Sequence, residues 1–574
     1  MLQVHSPFRG LLLLVGASLV PGCQPPAPAP PVAATVRVEV DFQTSASLAE
    51  ADVRYDNGAA AGRNAILESL GGGVAVIDYD RDNRLDLCFP AGGTIDGRQV
   101  TGLPTRLLRQ RGNDEFLDVS RSAGLSDPRH YSHGCVAADY DSDGFVDLLI
   151  TGFGGLSLWR NQGDGTFGDA TDSAGLGDRL WSSSAGWADV TGDGVLDLYV
   201  AHYVDWSFDN NPACTGPAGV PDICPPREFA GLADTLYVGD GAGGFRDASS
   251  EAGLQPGGKG LGVLLADFDQ DGDNDIYVTN DTVPNFLYVN DGRGHFEEAG
   301  LASGVALDDM AAPNGSMGVT LTDFDADGWP DLWVTNYEDE LFALYRNQGD
   351  NNFQHVSRRA GLNRLGTLYV GFGCVAGDFN ADGLEDVAVA NGHVVHHPRN
   401  APVRQEPLLL LNNGRGGFAR WTPPPESYFS QSWIGRGVAC GDFDGDGRQD
   451  LVFSNTQEPA ALLYSRASAT TRSLSLMLVG RSSSRDPVGA RAVLATSQGV
   501  RLRQLSGGGS YLSTSEPVLH WHVPVDEPLH VLRIAWPSGR TEELDPKRVW
   551  NLDQPGPLRA LRVEPDGPVR TGQE

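Results

Sequence analysis

The stretch Asp442-Phe-Asp-Gly-Asp-Gly-Arg-Gln-Asp450 places carboxylates at its first, third, fifth and ninth positions around a glycine at the sixth. Calcium takes about six to eight oxygens, and alternating aspartates on a tightly turning backbone can converge on one such ion. The sixth position needs a residue that tolerates positive φ, which Gly447 supplies. The seventh, Arg448, would lend only its backbone carbonyl. The frame occurs seven times, with starts 50 to 78 residues apart. A chain with so regular a punctuation is a repeat protein before it is anything else.

The ligands this pattern predicts are Asp78, Asp80, Asp82 and Asp86 in the first loop, and Asp139, Asp141, Asp143 and Asp147 in the second. The third offers Asp189, Thr191, Asp193 and Asp197, and the fourth Asp267, Asp269, Asp271 and Asp275. Asp323, Asp325, Asp327 and Asp331 form the fifth, Asp378, Asn380, Asp382 and Asp386 the sixth, and Asp442, Asp444, Asp446 and Asp450 the seventh. Up to seven Ca²⁺ are expected, with weaker sites where Asn83, Thr191 and Asn380 depart from the pattern. An EF-hand is excluded, because that loop requires a bidentate Glu at position twelve and flanking helices. Here position twelve is Phe89, Ile150, Val200, Val278, Val334, Val389 or Phe453, inside what reads as a buried strand. Each loop therefore joins two strands.

A second motif follows several loops. Leu158-Trp-Arg-Asn-Gln-Gly-Asp-Gly-Thr-Phe167 is echoed at Leu287 to Phe296, Leu344 to Phe353 and Leu410 to Phe418. Asn, Asp and Gly supply the positive φ of a tight hairpin, and the Phe returns to the core. About four strands per repeat is the signature of propeller blades. An all-β fold with a seven-bladed β-propeller over residues 35–465 is expected, and strand 35–42 is a candidate to close the ring on the last blade.

The formal charge of −33 is concentrated in this pattern, since the ligand positions of the loops hold 26 of the 75 acidic residues. Seven bound Ca²⁺ would bring it to about −19. Nucleic acid is excluded as a partner, because phosphate binding needs clustered Lys and Arg. Residues 1–22 read as an export signal, with an apolar run from Leu11 to Val20 before Cys23. This segment resembles a bacterial lipoprotein signal, which implies lipidation at Cys23, with free secretion as the alternative. The Pro-rich stretch 23–34 would hold a domain off a membrane, and Gln24 after the cysteine favours the outer membrane. Cys214 and Cys224, in the insertion 203–233, are expected to form a disulfide in that oxidising setting. Cys88, Cys135, Cys374 and Cys440 read as buried thiols acting as small hydrophobes.

The Asp loops with Phe or Tyr at position two, and the Asn-x-Gly-Asp-Gly-x-Phe hairpins, resemble FG-GAP/VCBS repeats, which integrin α-subunit heads share. The resemblance implies integrin-α-like calcium loops on one face of the propeller. Past Ser465 a separate strand-rich segment begins. Ser484-Arg-Asp-Pro-Val-Gly-Ala-Arg491, Gly507-Gly-Gly-Ser-Tyr-Leu-Ser-Thr-Ser515 and Trp536-Pro-Ser-Gly539 resemble the ASPIC/UnbV signatures. A small β-sandwich-like domain over 470–563, then a tail 564–574, is expected. The arrangement is that of cartilage-acidic-protein-like proteins, many of them bacterial and exported, whose activity the resemblance leaves undefined.

Every recurring polar residue is accounted for by metal or turns, and no catalytic residue is assigned. The leading expectation is a calcium-stabilised extracellular binding or adhesion protein tethered to the cell envelope, with a glycan or protein ligand. Two alternatives stay open. An exported enzyme acting on polysaccharide would draw on His393, His396 and His397, while an assembly platform would place Tyr511 and Trp536 near a contact surface. His133, His202 and His522 are read as packing or surface residues.

Overall fold

The computed structural model describes residues 40–112, 114–467 and 471–566; the expected signal segment, Cys23 and most of the tail lie outside them. The chain is mostly β. Seven antiparallel sheets follow one another, one per Asp loop; six have four strands, and the fourth gains a fifth from Gly507–Gly508. Their first strands are Ala75–Ile77, Tyr131–Ala138, Ser182–Ala188, Gly260–Ala266, Val319–Thr322, Gly371–Gly377 and Gly435–Gly441. The second strand of each sheet starts at the ninth-position aspartate, from Asp86 to Asp450. Neighbouring sheets pack against each other in chain order, and the seventh meets the first. This is consistent with the blades of a propeller.

The last sheet gains its outer strand from the other end of the chain: Phe42–Thr44 pairs antiparallel with Ala461–Ser465. Closure thus falls at the very end of the expected strand 35–42 and just past it. Between sheets the core is apolar throughout. Val76, Leu87 and Leu108 of the first sheet interdigitate with Ala439, Val452 and Leu462 of the seventh. Burying a side chain of this kind contributes about 1.5–3 kcal/mol.

The hairpin motif does more than turn the chain. The Asn161 side-chain amide donates to the Tyr79 carbonyl in the preceding sheet's loop (2.8 Å) and to Val146 (3.1 Å). Asn290 reaches Val190, Asn347 reaches Phe268, and Asn412 reaches Phe324 in the same way. Gln110 closes the circle on Phe443 of the seventh sheet (3.0 Å). The motif asparagine is a clamp between sheets, a role its turn propensity does not reveal.

The C-terminal segment forms two further sheets, one of three strands and one of four. They enclose Leu474, Leu494, Ile534, Trp521, Trp536 and Trp550. Trp536 is core at 2% exposure, not contact surface. The C-terminal segment has its own core, yet its residues 507–516 reach into the middle of the seven-sheet ring. Gly509 donates to Val263, Ser510 exchanges bonds with Val319, and its hydroxyl donates to Val438. Cys135 donates to the Leu512 carbonyl, and Thr514 pairs between Val74 and Val76. Phe372 packs edge-on against Tyr511 with centroids 4.9 Å apart. A Cβ at Gly73 would sit 1.9 Å from the Leu512 carbonyl, and one at Gly507 2.0 Å from that of Trp187. Glycines on both partners are what let backbone meet backbone here. Tyr511, expected near a surface, is fully buried.

Candidate calcium centres and the opposite face

Each first strand runs from an irregular face to an Asp loop, so the two ends of Tyr131–Ala138 lie on opposite faces of the ring. On the loop face, five loops gather carboxylate oxygens within 4.8 Å of one another: Asp78/Asp80/Asp82, Asp139/Asp141/Asp147, Asp267/Asp269/Asp271, Asp323/Asp325/Asp331 and Asp442/Asp444/Asp450. In every one of the five, a buried carboxylate oxygen has no hydrogen-bond partner, namely Oδ1 of Asp80, Asp139, Asp267, Asp325 and Asp442. An orphaned buried anion is costly, and a divalent cation is what such an oxygen set accommodates. The residues fit Ca²⁺.

The third and sixth loops, with Thr191 and Asn380, form no such triad among the described residues. There position three supplies no carboxylate, and the first carboxylate, like Asp78 of the first loop, is occupied by loop backbone. Asp189 accepts from the backbone of Gly192, Asp193 and Gly194, and Asp378 from Asp382, Gly383 and the His522 ring. The first loop keeps its triad although Asn83 replaces glycine, because Asn83 adopts φ 63°.

The ninth-position aspartates have a structural role of their own. Asp147 accepts from the backbone of Tyr140 and Asn161, and Asp86, Asp197, Asp275, Asp331 and Asp450 repeat the arrangement. Each ties its loop to the third strand of its sheet. Burial among other carboxylates pushes Asp86 and Asp147 up to about 8 without an ion. Divalent charge beside them would reverse that shift.

The opposite face owes little to the repeats. The insertion brings Tyr203, Trp206, Ile223 and Phe229 into one cluster with Tyr55, Trp181 and the plug residues Tyr511 and Leu512. The Cys214–Cys224 disulfide is formed within it. Asp222 of the insertion accepts from the backbone of His396 and His397 (both 2.9 Å), which fixes the histidine loop.

Two Glu–His pairs result, Glu338–His393 and Glu68–His396, each at 3.5 Å. Oε2 of Glu338 is buried without a hydrogen-bond partner, while Oε2 of Glu68 is buried with only the His396 ring facing it. The His393 Nδ1 accepts from Val394 and Val395, so the neutral ring carries its proton on Nε2. Such a ring donates to a ligand and has no lone pair there for a metal. Burial, then Arg436, holds His393 down at about 4. Arg436 is 2% exposed, stacks over Phe372 and donates to the carbonyls of Gly392 and His393. His133 is structural: it accepts from Trp181 Nε1 and meets the Tyr55 hydroxyl, each at 2.9 Å. His202 is likewise held, between Ala233 and Asp178. Glu68, Glu338 and Arg436 were beyond sequence reasoning, since no motif surrounds them.

The FG-GAP-like repeat model matches residues 139–200, 267–334 and 323–389, and the ASPIC and UnbV model matches 480–554. The chain carries FG-GAP-like repeats followed by an ASPIC and UnbV domain. It is distantly related to cartilage acidic protein 1, with 26% identity to the mouse protein over 492 residues, covering 82% of this chain and 70% of that one. The human protein is 25% identical over a similar span, covering 82% and 69%. Among solved structures, a lectin from Agrocybe aegerita that recognises non-reducing terminal N-acetylglucosamine aligns with 19% identity and a TM-score of 0.38, over 61% of this chain and 79% of its own. A rhamnogalacturonan lyase from Bacillus licheniformis aligns with 11% identity and a TM-score of 0.36, over 69% and 71%. Each FG-GAP-like match runs from the first carboxylate of one loop to the second strand of the next sheet. The ASPIC and UnbV match contains the whole plug.

Proposed function

We propose that this is a calcium-stabilised, exported binding protein, a seven-bladed propeller whose ions are structural and whose ligand, a glycan or a protein, meets the face opposite the Asp loops. The observation that carries the reading is the cover over the loops. The C-terminal domain sets Arg485 on Asp139, Arg491 beside Asp267 and Arg559 on Asp442. Ions held there are shut off from an external ligand by a domain plugged into the ring. At about 1 mM external Ca²⁺ and a Kd of about 0.1 mM, each site would stabilise by about 1.4 kcal/mol. Five such contributions, about 7 kcal/mol, rival the whole stability of a domain at about 5–15 kcal/mol. Lipidation at Cys23 would tether the protein to the envelope, the outer membrane by the residue that follows, and the Pro-rich stretch would present the propeller outward.

The ligand face is the one built by the insertion and the histidine loop. Buried oxygens of Glu68 and Glu338 beside His396 and His393 offer acceptors and a ring N–H. The Tyr337 ring packs edge-on against His393. Hydroxyl-rich ligands suit such a set. The same pairs support a second reading, an exported enzyme in which one carboxyl and one imidazole exchange a proton with a polysaccharide. A glycan array on the protein from Gln24 onward, in calcium and in EGTA with the eluates analysed for cleaved sugar, tests both. Binding without cleavage is expected. Cleavage would transfer the function to the second reading, and silence on every glycan would remove the glycan ligand and leave a protein partner, sought by co-purification with envelope proteins.

A further inference from the structure

In the second, fourth and seventh loops the first-position carboxylate is divided between two directions. Its Oδ1 is buried and unpartnered in Asp139, Asp267 and Asp442 alike. Its Oδ2 accepts the backbone N–H of the loop's sixth residue, from Gly144, Gly272 and Gly447 in turn. The same Oδ2 faces a guanidinium from the C-terminal domain: Arg485 at 2.8 Å, Arg491 at 3.5 Å and, for Asp442, Arg559. The three aspartates are 2–3% exposed. The arginines come from two segments of the C-terminal domain: Arg485 and Arg491 from the single stretch 484–491, and Arg559 from its last strand, Leu558–Val563.

We infer that Arg485, Arg491 and Arg559 lower the calcium affinity of these three loops, and that calcium in turn loosens their hold on the carboxylates. The inference rests on the calcium reading above. An ion on Oδ1 and a guanidinium on Oδ2 do not exclude one another in space. They do draw on one negative charge, and two cations a few ångströms apart across a carboxylate repel. The aspartates are buried, but the Arg485 and Arg559 side chains are 37% and 47% exposed, so salt screens part of the repulsion. Linkage makes the effect reciprocal: whatever the arginines take from calcium affinity, calcium takes from their docking. The plug at residues 507–516 is bonded through the backbone to the ring, so the domain stays in place while the arginines respond. They are positioning residues that tune the centres from outside the ligand set.

The test is a calorimetric calcium titration of the full exported chain and of the triple variant R485Q/R491Q/R559Q, at low ionic strength. The variant is expected to bind the same number of ions, with roughly threefold to tenfold tighter affinity in a subset of sites and a smaller difference at 1 M NaCl. Packing damage lowers affinity, so a gain at constant stoichiometry is not a by-product of instability. Unchanged or weaker binding in the variant, with the wild type binding normally, overturns the inference and makes the arginines mere struts. If the triple variant fails to fold, R559Q alone serves, because that side chain is 47% exposed and its loss is tolerable. It is expected to tighten one class of site. No calcium isotherm in the wild type would instead defeat the underlying calcium reading.

Discussion

The two faces of the ring are built by opposite strategies. On the loop face one solution is repeated, with an aspartate that starts a strand, a carboxylate fan and an asparagine or glutamine clamp to the neighbouring sheet. On the other, single residues brought from distant segments meet once: Glu68, Asp222, Glu338, His393 and Arg436 share no motif. Repetition serves stability, because each sheet must solve the same closure problem against its neighbour. Singular chemistry around a buried tyrosine has no such periodic demand to meet, which is why the ligand is assigned there.

The comparison breaks most visibly on removing calcium. EGTA is expected to lower the apparent Tm by about 10 °C or more, since about 7 kcal/mol would be withdrawn from the loop face. Calorimetric titration should return five ions, not seven, because Thr191 and Asn380 leave the third and sixth loops without the position-three carboxylate. No thermal shift would remove the metal from the account of this face.

Next in size is Tyr511→Ala, which empties the tip of the plug and should cost about 3–5 kcal/mol while leaving calcium stoichiometry at five. A loss of calcium binding in this variant would show that the faces are not separable. The pH dependence sharpens the same contrast. Asp86 and Asp147 stand at about 8 in the metal-free fold, against about 4 in an unfolded chain. Between those values the folded state holds more protons, so stability without calcium falls as pH rises from 5 to 8.5. Thermal melts in EGTA should show this decline, and melts in calcium should not.

Smaller again is Asn161→Ala, which strips the Tyr79 and Val146 carbonyls of a donor and should cost about 1–2 kcal/mol. The third sheet offers the internal control, with Gly239 at the equivalent place: a Cβ there would lie 2.5 Å from the Leu196 carbonyl, so no clamp can be installed. The smallest stability effect, under about 0.5 kcal/mol, is expected for His396→Ala, whose side chain is 37% exposed. If the ligand face is correctly assigned, that variant loses glycan or protein binding at unchanged Tm.

How much could be read beforehand follows the same division. Asp442 to Asp450 announces its own geometry, because ligand, turn and strand lie within nine residues and the constraint is local. The disulfide was legible for a similar reason, with Cys214 and Cys224 confined to one insertion. Asn161 was half legible. Its turn propensity marked the hairpin, but the carbonyl it clamps is 82 residues away in sequence.

The sequence by itself determined the number of repeats, the strand-loop-strand form of each and which acidic residues line the loops, since all of these are set by spacing and backbone stereochemistry over short distances. Only the tertiary structure decided that Gly507 to Thr514 fills the ring, that Tyr511 is core, and that three arginines of the second domain stand behind the calcium loops. Those contacts join segments hundreds of residues apart. Nothing in a glycine-rich signature says whether its close backbone approach is to a ligand, to solvent or, as here, to the central strands of another domain.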